Sequence, residues 1–230
     1  TPGAREHCIF LDTPGAAQHF HRKLVDASMR AQASTTAPGE GRFTVAIIGG
    51  GATGVELAAE LHMTARIMDS YGLQNVHPER DLKIAILDAA PRILPQLPER
   101  LSTAVAQELR KLDIDIHSNE KVVEITADGI RMASGKVIPG ALRVWAAGIK
   151  APDFLKDFGG LQTNRINQIV VDRSLRSVSD EHVLAFGDCA ACPLDDSATR
   201  WVPPRAQAAH QQASLLAKSI PRILAGKSAP

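Results

Sequence analysis

The sequence FTVAIIGGGATGVELAAEL, residues 43–61, is the strongest indication of how this chain folds. Its first six residues, Phe43 to Ile48, are β-rich and apolar, and a glycine turn and a helix from about Thr53 to Met68 are predicted to follow. The apolar run Lys83 to Leu87 predicts a second strand. Strand, helix and strand in this order form a βαβ unit, so we predict an α/β fold with a parallel sheet.

Within this stretch Gly49, Gly51 and Gly54 form the pattern GxGxxG between a strand and a helix. The first glycine permits a tight turn, the second lets backbone approach a pyrophosphate, and the third lets the helix pack closely on the strand. The diphosphate would then bind the free N–H groups at the helix N-terminus. The pattern predicts a dinucleotide site, with a glycine turn that binds no ligand as the alternative.

An acidic residue, Asp88, directly follows the second predicted strand. A carboxylate here can accept both ribose hydroxyls of an adenosine and would repel a 2′-phosphate, so Asp88 favours NADH over NADPH. Arg92 lies four residues further on and could weaken that preference. The separation from the glycines exceeds the roughly 20 residues typical of the pattern. The excess, Asp69 to Asp81, suggests a surface insertion, and a solvated loop acid is the alternative for Asp88.

Other segments flank this unit. Asp12-Thr13-Pro14 predicts a helix start, with the helix continuing to about residue 33. The Thr-, Pro- and Gly-rich stretch 34–41 predicts a linker and a domain boundary near residue 41. A further helix over about 98–112 has an apolar stripe at Leu101, Val105 and Leu109.

The second half is predicted to hold short strands and a last helix. The runs 114–117, 121–126, 129–132 and 142–146 are too closely spaced to be parallel neighbours, so we expect an antiparallel β-meander. Strands are expected near 169–171 and 183–186. Pro203-Pro204 is expected to open a helix that runs to about Ser219, before Pro221.

Composition excludes several classes of function. The chain has 230 residues with 26 Lys plus Arg against 25 Asp plus Glu, so no net field exists to attract nucleic acid. Its three cysteines argue against a disulfide framework and favour a reducing, cytoplasmic compartment. No stretch is long and apolar enough to predict a transmembrane helix. The eight histidines show no metal-ligand spacing, and we expect His19 and His21 to be surface or linker residues.

The chemistry of the residues leaves the roles of two features undecided. Glu56 is expected in the first turn of the helix after the glycines, where the dipole stabilises a carboxylate that would nevertheless repel a phosphate. Cys189 and Cys192 have CxxC spacing, which permits a thioredoxin-like redox pair, although Pro193 follows without an obvious helix. The alternative is that Cys189 packs near a cofactor and Cys192 is incidental.

Three segments together resemble the two-dinucleotide-binding-domain flavoproteins, and most closely the type II NADH:quinone oxidoreductases. GGGATGVELAAEL at 49–61 is similar to their NADH-binding turn, FGDCA at 186–190 to their second FAD-contacting motif, and AQAAHQ at 206–211 to their AQxAxQ quinone-site pattern. The glycine turn is shared by the whole superfamily, whereas AQxAxQ points narrowly to quinone. The resemblance implies a Rossmann-like, three-layer FAD/NAD(P)-binding fold.

The resemblance also implies roles for individual residues. The NAD(H)-binding set would be Gly49, Gly50, Gly51, Thr53, Gly54, Asp88, Ala147 and Gly148. The FAD-binding set would be Gly187, Asp188, Ala206 and Gln207. Glu56 would face nicotinamide and flavin, and Gln207 and Gln211 would stand where quinone enters. The alternative for the two glutamines is that they are neighbours, four apart, on a polar helix face.

The chain departs from the family at both ends. No GxGxxG precedes residue 49, and nothing after Pro230 supplies membrane-docking helices, so we expect a fragment whose retention of FAD is in doubt. We expect residues 1–41 to be a connecting segment from the FAD domain, 42–160 a NAD(H)-binding domain, and 161–230 the C-terminal part of the FAD domain. Peripheral contact with the cytoplasmic face of the inner membrane is expected for the intact protein only, and a homodimer is left open.

Three hypotheses follow from these patterns. The first is an FAD-dependent NADH dehydrogenase that passes hydride from NADH to flavin and then two electrons to a quinone. The second is a disulfide or ferredoxin reductase of the same superfamily. The third is a non-catalytic NAD(H)-binding module.

Overall fold

A computed structural model describes residues 1–33, 43–70, 82–140 and 142–227 of the chain. These residues form two compact units, Thr1–Gly148 and Ile149–Pro230. The predicted linker and boundary near residue 41, and residues 71–81 of the predicted insertion, lie outside the described residues. The division into NAD(H)-binding and FAD-binding segments stays a prediction.

The first unit is built on the predicted βαβ element. Strand β2 (Phe43–Ile48) leads into the glycine turn, helix α3 (Ala52–Ser70) follows, and β3 (Leu82–Leu87) pairs with β2 in parallel over six positions. Val45, Ala46 and Ile47 are fully buried, as continuous apolar runs covered on both faces should be. The strand, helix and strand predicted from the sequence are confirmed.

Five strands form the parallel sheet, in the order β1-β8-β2-β3-β4. Its remaining members are β1 (Ile9–Phe10), β4 (Ile114–His117) and β8 (Leu142–Trp145). Helix α1 (Ala4–His7) precedes β1. The prediction that the runs 114–117 and 142–146 belong to the meander was wrong. They are close in sequence to the meander strands, but in space each pairs with a strand of the βαβ element, β4 with β3 and β8 with β2.

The antiparallel meander contains the three strands between them. These are β5 (Val122–Ile125), β6 (Ile130–Met132) and β7 (Val137–Ile138), paired in that order. Because β4 and β8 run parallel, the chain must cross over between them, and here a small antiparallel sheet occupies the place usually taken by a helix.

Apolar residues cover both faces of the parallel sheet. Val45 and Ile47 point to the face covered by helices, including Phe20 and Leu24 of α2 (Pro14–Ala33). Ala46 and Ile48 alternate to the opposite face, which packs on the meander. The glycine turn therefore lies at the end of a three-layer unit with a helical layer and a β-layer.

Helices α2 and α4 (Glu99–Lys111) follow their predicted bounds closely. Helix α2 begins at Pro14 as predicted, and the Thr13 hydroxyl caps it by accepting from the Ala16 N–H at 3.1 Å. The buried face of α4 differs from the predicted stripe, because Leu101 is half exposed and Ser102 is buried in its place, donating to the Ile93 carbonyl at 2.6 Å.

The second unit has less regular structure. Strand β9 (Ile169–Val170) pairs in parallel with β10 (Ala190–Ala191), and helix α5 (Ala206–Leu224) packs on this pair through Leu216. Residues 183–186 form an isolated bridge at Leu184 rather than the predicted strand. Helix α5 does not stop before Pro221 but includes it near its C-terminal end. Within the described part of the chain, no helix has the length and hydropathy needed to cross a membrane.

Candidate functional site

Two of the three motif glycines are required by packing alone. Gly49 has φ +119°, and a Cβ added there would lie 2.6 Å from the Ala147 nitrogen. A Cβ added to Gly54 would lie 2.0 Å from the Gly49 carbonyl oxygen. At Gly49 the backbone of the glycine turn lies too close to the residues after β8 to leave room for a side chain. At Gly54 the backbone of α3 lies equally close to the end of β2.

Gly51 differs from both, because a Cβ added there would meet nothing within 4 Å. Open space therefore adjoins the start of α3, whose first N–H groups have no partner within the helix. The exposed Thr53 belongs to the same first turn. A diphosphate fits this cradle, since a helix N-terminus offers both donors and the positive end of the dipole.

The Asp88 carboxylate is tied to the glycine turn. Its Oδ2 accepts from the Gly50 N–H at 2.5 Å and its Oδ1 accepts from the Ala90 N–H at 2.7 Å. Asp88 is half-buried. The structure thus brings Asp88 and Gly50 together at the carboxyl ends of β2 and β3, where parallel sheets bind ligands, and Asp88 is not a freely solvated loop acid.

Arg92 is engaged elsewhere. Its Nη1 donates to the carbonyls of Leu94 and Leu97 at 3.2 and 2.9 Å, and its Nη2 donates to that of Pro95 at 3.0 Å. Both terminal nitrogens therefore brace the loop after Asp88. This arrangement removes the main reason to expect that Arg92 weakens a preference for NADH.

Ala147 and Gly148 follow β8 on the other side of the glycine turn. The Trp145 indole N–H donates to the Ala147 carbonyl at 2.9 Å, and its ring stacks on Phe10 with centroids 5.8 Å apart. Gly148 has φ +79° with open space where a Cβ would stand. The eight predicted NAD(H) residues all belong to the first unit, at the glycine turn, the start of α3 and the ends of β3 and β8.

Glu56 lies further along the helix than predicted. It is the fifth residue of α3, so no acidic side chain stands in the first turn. Its side chain is exposed and makes no hydrogen bond to the described residues. The predicted first-turn position was wrong by part of a turn, because the helix begins at Ala52, and the catalytic role of Glu56 stays a prediction.

The second unit holds the other predicted residues. Gly187, with φ +72°, and Asp188 belong to a short 3₁₀ turn, Gly187–Cys189. Asp188 is exposed, and its carboxylate has no partner among the described residues. Gln168 donates from Nε2 to the Asp188 carbonyl at 3.0 Å. The turn thus presents a carboxylate that is available to a ligand.

Helix α5 begins after the two prolines rather than at them. Arg205 is its N-cap residue, and Ala206, Gln207 and Gln211 are exposed in its first two turns. A shallow pocket adjoins this helix start; it is lined by Gly187, Ala190, Val202, Pro203, Pro204, Arg205, Ala208, Ala209 and Gln212. Gln207 and Gln211 do not line this pocket, and their roles stay predictions.

Gln212 is a residue that the motif analysis missed. Its Oε1 accepts from the Gly187 N–H at 2.7 Å, which joins α5 to the predicted FAD-contacting turn. The AQxAxQ pattern ends one residue earlier, so the motif drew attention to Gln211. Helical periodicity could have found Gln212, because it shares the inward face of α5 with Leu216 and Ser219 at spacings of four and three.

The CxxC cysteines lie on either side of a short strand, and the predicted alternative that they form a redox pair stays a prediction. Cys189 and Cys192 flank the two-residue strand β10, and both are free thiols. Burial, with a smaller contribution from the charge of Asp172, raises the pKa of the Cys192 thiol, so this residue stays protonated near neutral pH. Among the residues that the structure describes, no group of three His, Cys, Asp or Glu side chains could hold a metal ion.

Sequence comparisons relate the chain to known proteins. The sequence model of the pyridine nucleotide-disulphide oxidoreductases matches residues 1–213. A type II NADH:quinone oxidoreductase from Haemophilus influenzae is 38% identical in an alignment 232 residues long, and the match covers 96% of this chain and 52% of that protein. A probable NADH dehydrogenase from Dictyostelium discoideum is 30% identical, covering 95% of this chain and 47% of that protein. The chain spans about half the length of these curated relatives.

Solved structures share the fold. The NDH2 protein of Plasmodium falciparum in complex with NADH matches with a TM-score of 0.70 at 20% identity, covering 98% of this chain and 49% of that chain. A ferredoxin reductase from Rhodopseudomonas palustris matches with a TM-score of 0.70 at 22% identity, covering 94% and 47%. The predicted α/β, Rossmann-like fold is therefore confirmed.

Proposed function

The chain belongs to the pyridine nucleotide-disulphide oxidoreductase family, and from this premise we propose that it is part of an FAD-dependent NADH:quinone oxidoreductase. The observation that carries the proposal is the Asp88 carboxylate held on the glycine turn, at the carboxyl ends of parallel strands. The names of the Haemophilus influenzae and Dictyostelium discoideum relatives support NADH as the reductant. The name of the first relative and the AQxAxQ pattern support a quinone as the acceptor.

The first unit would bind NADH. The open space at Gly51 would receive the diphosphate, whose charge the unpaired N–H groups of α3 would stabilise. Asp88 would accept from the adenosine ribose, and the carboxylate would disfavour a 2′-phosphate. Ala147 and Gly148 would line the cleft next to the glycine turn. These residues bind and orient the nucleotide, and they carry no redox chemistry themselves.

The second unit would contribute to the flavin and quinone sites. FAD, when bound, supplies the chemistry that accepts hydride from NADH and delivers two electrons to the quinone. Asp188 would accept a hydrogen bond from the flavin's sugar chain, and the N-terminus of α5 at Ala206 and Gln207 would stabilise negative charge on the reduced ring. Gln207 and Gln211 would hold the quinone through their amides, and Glu56 would face the nicotinamide.

The visible spectrum of the full-length protein tests this function. We expect the protein to carry flavin absorption bands that NADH bleaches without oxygen and that a ubiquinone or menaquinone analogue restores. Bleaching by NADH with turnover of dicyanophenolindophenol, but with no quinone analogue, would contradict the quinone part. A colourless protein that binds NADH would instead favour the non-catalytic module.

Gln211→Ala tests the quinone site separately. Because the exposed amide of Gln211 would contact quinone and not NADH, we expect the quinone half-reaction to slow by about tenfold or more, with flavin reduction by NADH within about twofold of wild type. Stopped-flow measurement of each half-reaction checks this. Equal loss in both half-reactions would mean that Gln211 has a structural role.

A further inference from the structure

The Gly187–Cys189 turn is held from two sides by glutamine side chains. On one side Gln212 of α5 accepts the Gly187 N–H through Oε1 at 2.7 Å. On the other side Gln168 donates through Nε2 to the Asp188 carbonyl at 3.0 Å. Both hydrogen bonds are made to backbone groups, so they fix the path of the turn and not merely the position of one side chain.

The Gln168 side of this arrangement is rigid. Gln168 is only 6% exposed, and its Oε1 accepts from the Asn164 side-chain amide at 2.9 Å. This hydrogen bond fixes the orientation of the Gln168 amide, so that its nitrogen faces the Asp188 carbonyl. The Asp188 carbonyl is thus anchored to a buried network within the second unit.

On the other side, Gln212 holds the start of the turn at Gly187. Gly187 has φ +72°, and its backbone lies so near α5 that a Cβ there would stand 3.6 Å from the Ala209 Cβ. Without an acceptor at Gln212 the Gly187 N–H would turn to water, and glycine has wide freedom to follow it. The side-chain amide of Gln212 therefore selects one conformation of the turn.

One consequence concerns the ligand. Because Gln212 occupies the Gly187 N–H, the group that the turn presents outward is the Asp188 carboxylate, which is exposed and has no partner in the described part of the chain. A carboxylate accepts hydrogen bonds from hydroxyl groups well, and its usefulness depends on its direction. The direction of the Asp188 carboxylate thus depends on Gln212, whose side-chain oxygen accepts from the Gly187 N–H.

We propose that Gln212 is a positioning residue, which sets the conformation of the Gly187–Asp188 turn and so directs the Asp188 carboxylate to FAD. This inference rests on the proposed function, because it takes FAD as the ligand of Asp188. It assigns to Gln212 a different task from that of its neighbour Gln211, which was predicted to face quinone.

The test changes the length and the end group of the Gln212 side chain separately, in the full-length protein. Gln212→Asn keeps the amide but is shorter by one methylene, about 1.5 Å, so it cannot bridge to Gly187. We expect its FAD dissociation constant to rise about tenfold, as for a lost hydrogen bond to a ligand-binding turn. Gln212→Glu keeps an acceptor oxygen at the original reach, and we expect its FAD affinity to stay within about threefold of wild type.

FAD release is measured by flavin fluorescence after dilution, and the visible circular dichroism of the bound flavin reports its orientation. Ser214→Ala, at an exposed position on the same helix, is the matched control and should change neither. If Gln212→Asn does not accumulate as folded protein, Gln212→Glu is compared with wild type by the same measurements. A loss of FAD affinity above about tenfold in Gln212→Glu would contradict the proposal, because this variant keeps the acceptor oxygen that the proposal requires.

The outcomes separate the two proposals. Unchanged FAD affinity and dichroism in Gln212→Asn, or equal losses in the Asn and Glu variants, would overturn the positioning role while leaving the proposed function intact. A wild-type protein that binds no FAD would overturn the proposed function itself. A raised dissociation constant in Gln212→Asn with retention in Gln212→Glu supports the assignment.

Discussion

Gly54→Ala is expected to abolish nucleotide binding by the full-length protein and to destabilise its first unit. The added Cβ would stand 2.0 Å from the Gly49 carbonyl oxygen, and a backbone atom cannot move aside as a flexible side chain can. Helix α3 must therefore shift away from β2, at a cost of about 3 kcal/mol or more in the free energy of unfolding. We expect NADH affinity to fall at least about a hundredfold. Urea unfolding and calorimetric titration with NADH measure the two effects.

Gly51→Ala is the matched control for this substitution. It adds the same methyl group three residues earlier, where nothing lies within 4 Å. The free energy of unfolding should fall by about 1 kcal/mol or less, the ordinary cost of alanine at a helix N-cap, whereas NADH affinity should still fall, because the methyl group would occupy space needed by the diphosphate. NADH affinity unchanged in Gly51→Ala would show that no ligand approaches the turn, and would contradict the nucleotide site.

Asp88→Arg should reverse the nucleotide preference. The carboxylate accepts the Gly50 and Ala90 N–H groups and would accept the ribose hydroxyls, whereas a guanidinium can accept neither and attracts a 2′-phosphate. We expect the ratio of NADPH to NADH affinity to rise about a hundredfold or more. Arg92 does not compensate in wild type, because its terminal nitrogens bind backbone carbonyls.

Asp128→Arg makes the same change of charge in the exposed β5–β6 turn and serves as the control for Asp88→Arg. Kd values for both nucleotides, measured on each variant, separate local recognition from a general charge effect. An unchanged preference in Asp88→Arg would mean that another residue recognises the ribose. A similar shift in both variants would mean that the effect is electrostatic and not specific.

The sequence was most informative where periodicity and turn chemistry acted locally. The glycine turn and its flanking strand and helix were predictable because a β-rich apolar run, helical spacing and glycine placement all agree within about 30 residues. The Thr13 cap and the start of α2 at Pro14 were predictable for the same reason. Each of these features depends on neighbours in the chain.

The predictions from sequence were wrong where a strand or side chain pairs with residues that are distant in the sequence. The runs 114–117 and 142–146 were assigned to the meander from their spacing, although the strands that form there pair with β3 and β2. Leu101 was placed on the buried face of α4, but Ser102 takes that place because the Ile93 carbonyl satisfies its hydroxyl. Gln212 reaches Gly187 across 25 residues, and helical periodicity, which places Gln212 on the inward face of its helix, does not identify this partner.

The insertion of β8 between β1 and β2 has a consequence for synthesis. Strands β1 and β2 precede β8 by about a hundred residues or more, and β8 pairs with both of them in parallel. While the ribosome is still making residues 49–141, β1 and β2 therefore lack the strand that lies between them, and the backbone edges that β8 will occupy are unpaired. We therefore expect the nascent chain to be most prone to association through these edges until Trp145 has left the exit tunnel.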